Sequence, residues 1–316
     1  MSSSFGLSNC RATEGYRRTL KSVLGELQLT SEQAARLGVG AGTQISPYLE
    51  ACCLSASATV SYQRAEQDIA VSTGMRVSAK TQQRLVQRQP WAALEVQTPE
   101  PMAELSIDGG NVKLTSGAKD APDWRQYKAV RLNSKGESRA WFQDKEGLVA
   151  TVRGHAMEAV VVCLGAGHDG IWNLHTAMVP HRAQRFELLD WYHLKENLFK
   201  LSPAEVEREQ VETHLWQGDV VSALNQLKAC PSDEAERFHN YLLKHQNRIP
   251  NYGYYVAEPL CSVGSGAVES LVKQIDQRLQ IVGGRWKAEH VPKVLGQRCA
   301  DLNEELNPTT FILSRR

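Results

Sequence analysis

Apolar positions recur at spacings of three and four from Tyr16 to Gln89, broken only by short Gly/Ser/Thr stretches. This pattern predicts an all-α N-terminal domain over residues 1–95. Within it, Ser61 to Thr73 reads as one helix, Gly74 as its break, and Ser78 as the N-cap of a second helix through Arg88. That is a helix-turn-helix outline. Gln89-Pro90 ends the second helix, and the segment through Pro101 reads as a linker.

Beyond Pro101 the period changes. Strand signals cover Glu104–Ile107, Tyr127–Leu132 and Arg139–Gln143, the last two joined by the turn Asn133-Ser134-Lys135-Gly136. A helical stretch, Asp144–Met157, leads into the unbroken apolar run Ala159–Leu164, as expected of a strand buried on both faces. Another helix and a short strand, Phe186–Leu189, follow. Three strands, a crossover, and further strands alternating with helices are the order expected of a ribonuclease-H-like α/β domain. Ser202–Arg248 is helical and strongly charged, and reads as an insertion within residues 202–255. After Gly264-Ser265-Gly266 comes a helix with Val268, Leu271, Val272, Ile275, Leu279 and Val282 on one apolar face. The α/β core thus runs over 102–201 and 256–305, and residues 306–316 read as a separate tail.

Charge is informative only locally. The chain of 316 residues balances 36 Lys+Arg against 35 Asp+Glu, which excludes a uniformly basic nucleic-acid coat but allows basic patches. Arg76, Lys80, Arg84 and Arg88 repeat every fourth residue in a stretch with no acidic residue from Ile69 to Leu94. Such a stripe can lie along phosphates, and it is equally compatible with an ordinary solvated helix face. A second basic group, Lys273, Arg278, Arg285 and Lys287, offers the same two readings. The seven cysteines are scattered and form no C-x-x-C pair, so neither a disulfide framework nor a zinc site is indicated. No stretch reaches the ~18 consecutive apolar residues of a membrane span, and Met1–Arg18 contains no signal-peptide core, so a cytoplasmic location without membrane attachment is expected.

Carboxylates at strand ends call for explanation, because burying them is costly. Asp108, in Ser106-Ile107-Asp108-Gly109-Gly110, is either a turn residue or a functional acid. Asp169, in Gly167-His168-Asp169-Gly170, is either a helix cap or a functional acid. Glu269 lies one residue off the apolar stripe of its helix, where Lys273 four residues on offers an ordinary ion pair.

Taken together, the segments Leu105-Ser-Ile-Asp-Gly-Gly110, Trp124-Arg-Gln-Tyr-Lys-Ala129, Gly167-His-Asp-Gly-Ile-Trp-Asn173, Leu189-Asp-Trp-Tyr-His-Leu-Lys-Glu-Asn-Leu198 and Gly264-Ser-Gly-Ala-Val-Glu-Ser270 resemble the ISKra family of bacterial insertion-sequence transposases. The resemblance runs from about Ser46-Pro47 to Asn303. It implies a DDE transposase, in which a ribonuclease-H-like fold holds two Asp and one Glu around two Mg²⁺ or Mn²⁺ ions. Asp108 would be the first Asp and Glu269 the final Glu. Asp190 and His193 match an Asp-x-x-His signature with a structural or DNA-strand role. The implied partners are double-stranded DNA at element ends and target DNA, bound by a homodimer through the N-terminal helices and the two basic groups. Two hard cations roughly 3.5–4 Å apart would clamp the attacking and leaving oxygens of an in-line phosphoryl displacement.

One position departs from that pattern. The family reads Gly-Asp-Gly directly after the buried strand, whereas this chain reads Gly165-Ala166-Gly167. Ala166 therefore stands where the second Asp is expected. Asp169 is the fallback ligand, up to about 10 Å further along an extended chain. The expectation is a catalytically impaired transposase. The competing readings are a non-catalytic, domesticated DNA-binding protein and a related metal-dependent nuclease.

Overall fold

The computed structural model describes residues 17–313 except 38, 41, 92–99, 116–122, 134, 135, 183, 203–206, 229 and 231. Most of the expected 90–101 linker and the centre of the expected Asn133–Gly136 turn lie outside the described residues. The chain falls into two compact units, 17–89 with 300–313, and 90–299.

The first unit does not begin with a helix. An antiparallel hairpin of β1 (Arg17–Ser22) and β2 (Gly25–Thr30) precedes α1 (Ser31–Arg36), which overturns the all-α expectation. The physical reason lies in Leu20, Leu24 and Leu27, whose spacing of four and three imitates a helical stripe. Leu24 sits exposed at the turn, where Gly25 adopts φ 106°, a conformation that side chains resist. The alternation Glu26-Leu27-Gln28-Leu29 is then free to place Leu27 and Leu29 in a small core with Leu20, Ala34 and Val39. Three helices follow: α2 (Pro47–Thr59), α3 (Tyr62–Thr73) and α4 (Ala79–Arg88), each capped by the serine before it, Ser46, Ser61 and Ser78. Gly74 ends α3 in the left-handed conformation, φ 70°. The three helices pack on one another.

The second unit is a mixed α/β structure. Its sheet has five strands in the order β5-β4-β3-β6-β7: β3 (Met102–Leu114), β4 (Asp123–Leu132), β5 (Ser138–Phe142), β6 (Met157–Gly165) and β7 (Arg185–Leu189). β3, β4 and β5 form an antiparallel meander, while β6 and β7 run parallel to β3. β6 is buried on alternate sides by two different cores. Val161 and Cys163 pack with α5 (Lys145–Arg153) and α6 (Asp169–Met178), whereas Val162 and Leu164 pack with the helices that follow β7. These are α7 (Trp191–Phe199), α8 (Arg208–Trp216), α9 (Val220–Leu227), α10 (Asp233–His245) and α11 (Tyr252–Ala257). No strand interrupts them among the described residues. The chain returns as α12 (Gly266–Leu279), which packs on β3 and β4, and continues into α13 (Val291–Leu302). The expected apolar stripe holds through Leu279, but Val282 lies beyond the helix and is fully exposed. The supposed tail instead contains α14 (Pro308–Leu313), which packs on α2 of the first unit and buries Phe311.

Asp108-Gly109-Gly110 is not a turn. It lies inside β3, where the glycines permit a close approach: a Cβ at 110 would sit 2.5 Å from Tyr127 Cζ. That ring must stay in place, because its hydroxyl donates to Asp276 (2.8 Å) on α12. Gly110→Ala is therefore expected to destabilise the second unit by about 1–3 kcal/mol through overpacking. Gly266→Ala, at a position with open space around it, should leave the melting temperature within a degree or two. Thermal melts followed by circular dichroism compare the two.

Candidate functional site

The candidate site is assembled at one edge of the sheet. β3 and β6 are in register with Ser106 beside Leu164, so two steps further on Asp108 falls level with position 166. β6 and β7 are in register with Gly165 beside Leu189, and the next step puts Ala166 level with Asp190. Continued past the last paired residues, these registers put Asp108, inside β3, level with Ala166 and Asp190, the residues that directly follow β6 and β7. Neighbouring strands are spaced by about 4.8 Å, so the outer two backbones are about 10 Å apart with Ala166 between them. Paired residues share a sheet face, and this is the face covered by α12.

At the Asp190 end the row meets α12. Asp190 has no exposed surface and caps α7, its Oδ1 accepting from the His193 N–H at 2.9 Å. Its Oδ2 accepts from both the backbone N–H and the hydroxyl of Ser265. The Ser265 Oγ also lies 2.8 Å from Glu269 Oε1. His193 Nδ1 completes the group, 3.4 Å from Asp190 Oδ1 and 3.7 Å from Glu269 Oε1. Asp190, His193 and Glu269 offer ligand atoms all within 4.8 Å of one another, a set that could hold a metal ion.

Burial works to raise the Asp190 carboxyl, but the hydrogen bonds from His193 and Ser265 outweigh it and hold the group below the ordinary carboxylate range. The hydrogen bond to Asp190 raises His193 above its ordinary value, against burial, with the Glu269 charge adding to the effect. Both shifts favour the charged form of the group concerned.

The remaining candidates divide. Asp108 is half-buried, and its Oδ1 accepts from the next backbone N–H, that of Gly109, at 2.7 Å. It lies outside the Asp190–His193–Glu269 group, and its charge acts on Asp276 further along α12. Asp169 is the first residue of α6, exposed, and paired with Lys244 of α10 at 2.6 Å. Glu269 turns back to Ser265, and no ion pair with Lys273 forms among the described residues. Arg278 belongs to no basic surface: it is 1% exposed and its guanidinium stacks on Trp286. Its placement reflects the apolar stripe of α12, where the long arginine stem fills a core position. Lys273, Arg285 and Lys287 are exposed.

On the first unit, all four members of the basic stripe are exposed, Arg76 ahead of α4 and Lys80, Arg84 and Arg88 on it. Arg76 pairs with Glu66 at 2.8 Å, and Arg88 with Glu50 at 2.5 Å. Lys80 and Arg84 have no acidic partner among the described residues. Acidic residues elsewhere in the chain, which a local reading of 69–94 cannot see, neutralise the two ends of the stripe.

Ser265 is the residue that sequence reasoning passes over. It stands inside the Gly-Ser-Gly segment, but nothing in the spacing ties it to Asp190, 75 positions away. No helix among the described residues is long and apolar enough to cross a membrane. Comparison of the chain with protein-family models and with curated proteins returns no match.

Removing the Asp190 carboxylate leaves the backbone N–H groups of His193 and Ser265 without their acceptor and the Ser265 hydroxyl with Glu269 alone. Asp190→Ala should therefore cost at least about 3 kcal/mol in denaturant unfolding. The acid dependence has a definite sign. With its folded pKa below the ordinary 3.8, Asp190 stabilises the fold above that value and loses its contribution as pH falls through the folded pKa. The variant should thus be less stable at neutral pH and show a shallower acid limb. Equal stability of variant and parent at pH 7 would remove Asp190 from this role.

Proposed function

We propose that this chain is a DDE-type transposase of ISKra-like ancestry that binds element-end DNA and is catalytically crippled at one metal-binding position. The observation that carries the reading is the row of Asp108, Ala166 and Asp190, with the Glu269 helix over the same sheet face. The strand order and directions, a three-stranded antiparallel meander extended by two parallel strands, are those expected of a ribonuclease-H-like core. The helical segment between β7 and α12 stands where such enzymes carry an insertion before the last catalytic carboxylate.

In an intact site, carboxylates at 108, 166 and 269 would hold two Mg²⁺ or Mn²⁺ ions, which supply the nucleophile and stabilise the leaving oxygen. The residues present do not complete that centre. Position 166 contributes a methyl group in the middle of the row, and Asp169 is held away by Lys244. No catalytic step is therefore assigned to this chain as it stands. The same observation favours a second reading, a non-catalytic DNA-binding protein built on the transposase fold.

DNA binding through α4 rests on Lys80 and Arg84, the two stripe residues without acidic partners among the described residues, in a helix that follows α3 across a tight Gly74 turn. Changing both to Ala should weaken binding to element-end DNA in gel shifts. The slope of log affinity against log salt should also fall by about 0.9 for each phosphate no longer neutralised. An unchanged slope would make the stripe a solvated face. For catalysis, Ala166→Asp should bring metal-dependent nicking of element-end DNA up by a hundredfold or more, on the order of 3 kcal/mol in the barrier. Robust cleavage by the unaltered chain, abolished by Asp169→Ala, would instead make Asp169 the second ligand.

A further inference from the structure

The first unit carries a basic cleft of about 780 Å³, separate from the α4 stripe. Ala34 and Ala35 of α1, with Val39, give it apolar walls, and Arg17, Arg18 and Lys21 of β1 give it cations. No acidic residue lines it among the described residues. The acids nearest in the chain do not neutralise it: Glu32 pairs with Arg36, and Glu26, opposite Lys21 in the hairpin register, makes no ion pair among the described residues. Three cations gathered without a counterion concentrate positive potential in the cleft. Its walls are set by the backbone. The Arg18 guanidinium donates to the carbonyls of Val39 and Gly40, each at 2.9 Å. The Lys21 N–H donates to the Gln44 carbonyl and the Ser46 N–H to the Lys21 carbonyl, both at 2.8 Å, so the loop after α1 is tied to β1 at both ends. Arg18 Nε is buried and has no hydrogen-bond partner among the described residues, a donor that calls for an acceptor. Lys21 Nζ donates to the carbonyl of Arg76 at 3.1 Å, the residue at which the basic stripe begins, and keeps two further N–H donors.

We infer that this cleft is a second nucleic-acid contact of the first unit and takes a backbone phosphate of the same DNA that α4 binds. It rests on the proposed DNA-binding role of α4. Phosphate oxygens are acceptors only, which suits a cleft that offers guanidinium and ammonium donors and no carboxylate. Ala34, Ala35 and Val39 supply apolar surface for the sugar beside that phosphate. Continuity favours a polymer over a free anion. Through its bond to Arg76, Lys21 joins the cleft to the stripe, and Lys80 and Arg84 carry the positive charge onward along α4. A strand crossing both features meets Arg17, Lys21, Lys80 and Arg84, none of them paired with an acid among the described residues. Contacts of this kind hold the duplex in register and read no sequence.

The test uses the full chain as it stands and a fluorescently labelled DNA duplex of mixed sequence, with affinity read by anisotropy over a range of salt. One variant combines Arg17→Gln with Lys21→Gln, which removes two charges and leaves an N–H at position 21 for the Arg76 carbonyl. A second combines Lys80→Ala with Arg84→Ala. A control combines Arg64→Gln with Arg237→Gln, removing the same charge from exposed sites already paired with Asp68 and Glu234. In the cleft variant the slope of log affinity against log salt should fall by about 0.9 for each lost contact, about 1.8 in all, while the control keeps the parent slope. Arg17→Gln alone, at an exposed side chain, should lower it by about 0.9 and keeps the test open if the double change does not fold, as circular dichroism reports. A parent slope in the cleft variant, with a lowered slope in the α4 variant, overturns the cleft and leaves the α4 contact standing. A parent slope in both overturns DNA binding by this unit. Equal falls in the cleft variant and the control reduce the effect to net charge and overturn the site. Calorimetric heats with pyrophosphate that vanish in the cleft variant, beside an unchanged duplex slope, make the occupant a free phosphate compound and overturn the backbone assignment.

Discussion

A carboxylate without access to water survives only if donors surround it, and the placement of Asp190 determines much of what the second unit can do. It stands at the point where the chain leaves the sheet after β7, its own backbone N–H bonded to Gly165 at the end of β6. Its side chain collects the N–H of His193 on one side and two donors from Ser265 on the other. The last pair closes an excursion of 75 positions. A second backbone bond, from Trp191 N–H to the Val263 carbonyl, ties the same two ends together beside it. The helical segment α7–α11 is thus pinned at its base by a charge-assisted cluster, and the first turn of α12 cannot move without breaking it.

This clasp explains how residues brought level by separate strands become a site. Parallel pairing sets β3, β6 and β7 so that Asp108, Ala166 and Asp190 are level, but strand registers alone place no residue of α12. Apolar packing of Val268, Leu271, Val272 and Ile275 fixes which side of that helix faces inward. Two anchors fix it along its axis. One is Ser265 on Asp190, and the other is the Tyr127 hydroxyl on Asp276 and the Val272 carbonyl. Tyr127 reaches them only because Gly110 lacks a Cβ, which links the Asp-Gly-Gly segment of β3 directly to the seating of the Glu269 helix.

Much of this architecture is legible in the sequence, and the misreadings have identifiable causes. The buried run before Gly165, the short strand ending at Leu189, the Ser78 cap of α4 and the helical return at Gly266 all rest on local periodicity and turn chemistry. The N-terminal hairpin is hidden because three leucines at helical spacing outweigh a short alternation. Asp108-Gly109-Gly110 imitates a turn, since glycines needed for close packing carry the same signature as glycines needed for a bend. Arg278 reads as a surface cation because a residue type does not reveal that an aromatic ring, Trp286, lies over its guanidinium. Partners distant in sequence, Ser265 to Asp190 above all, leave no local trace.

The helical segment also reaches the position where Ala166 stands in place of the expected Asp. Tyr241 on α10 donates to the Ala166 carbonyl at 3.4 Å, and its ring occupies the space that a Cβ at Gly167 would need. Gly167 adopts φ 98°, and the next turn of α10 supplies Lys244 to Asp169. The loop from 165 to 169 is therefore gripped from outside the sheet by a helix that is itself closed onto Asp190. A side chain at 166 would inherit a backbone already fixed by β6 on one side and by α10 on the other. On the proposed reading, a methyl group in place of a carboxylate there removes a ligand and leaves these contacts, made by the 166 carbonyl and by Asp169, in place.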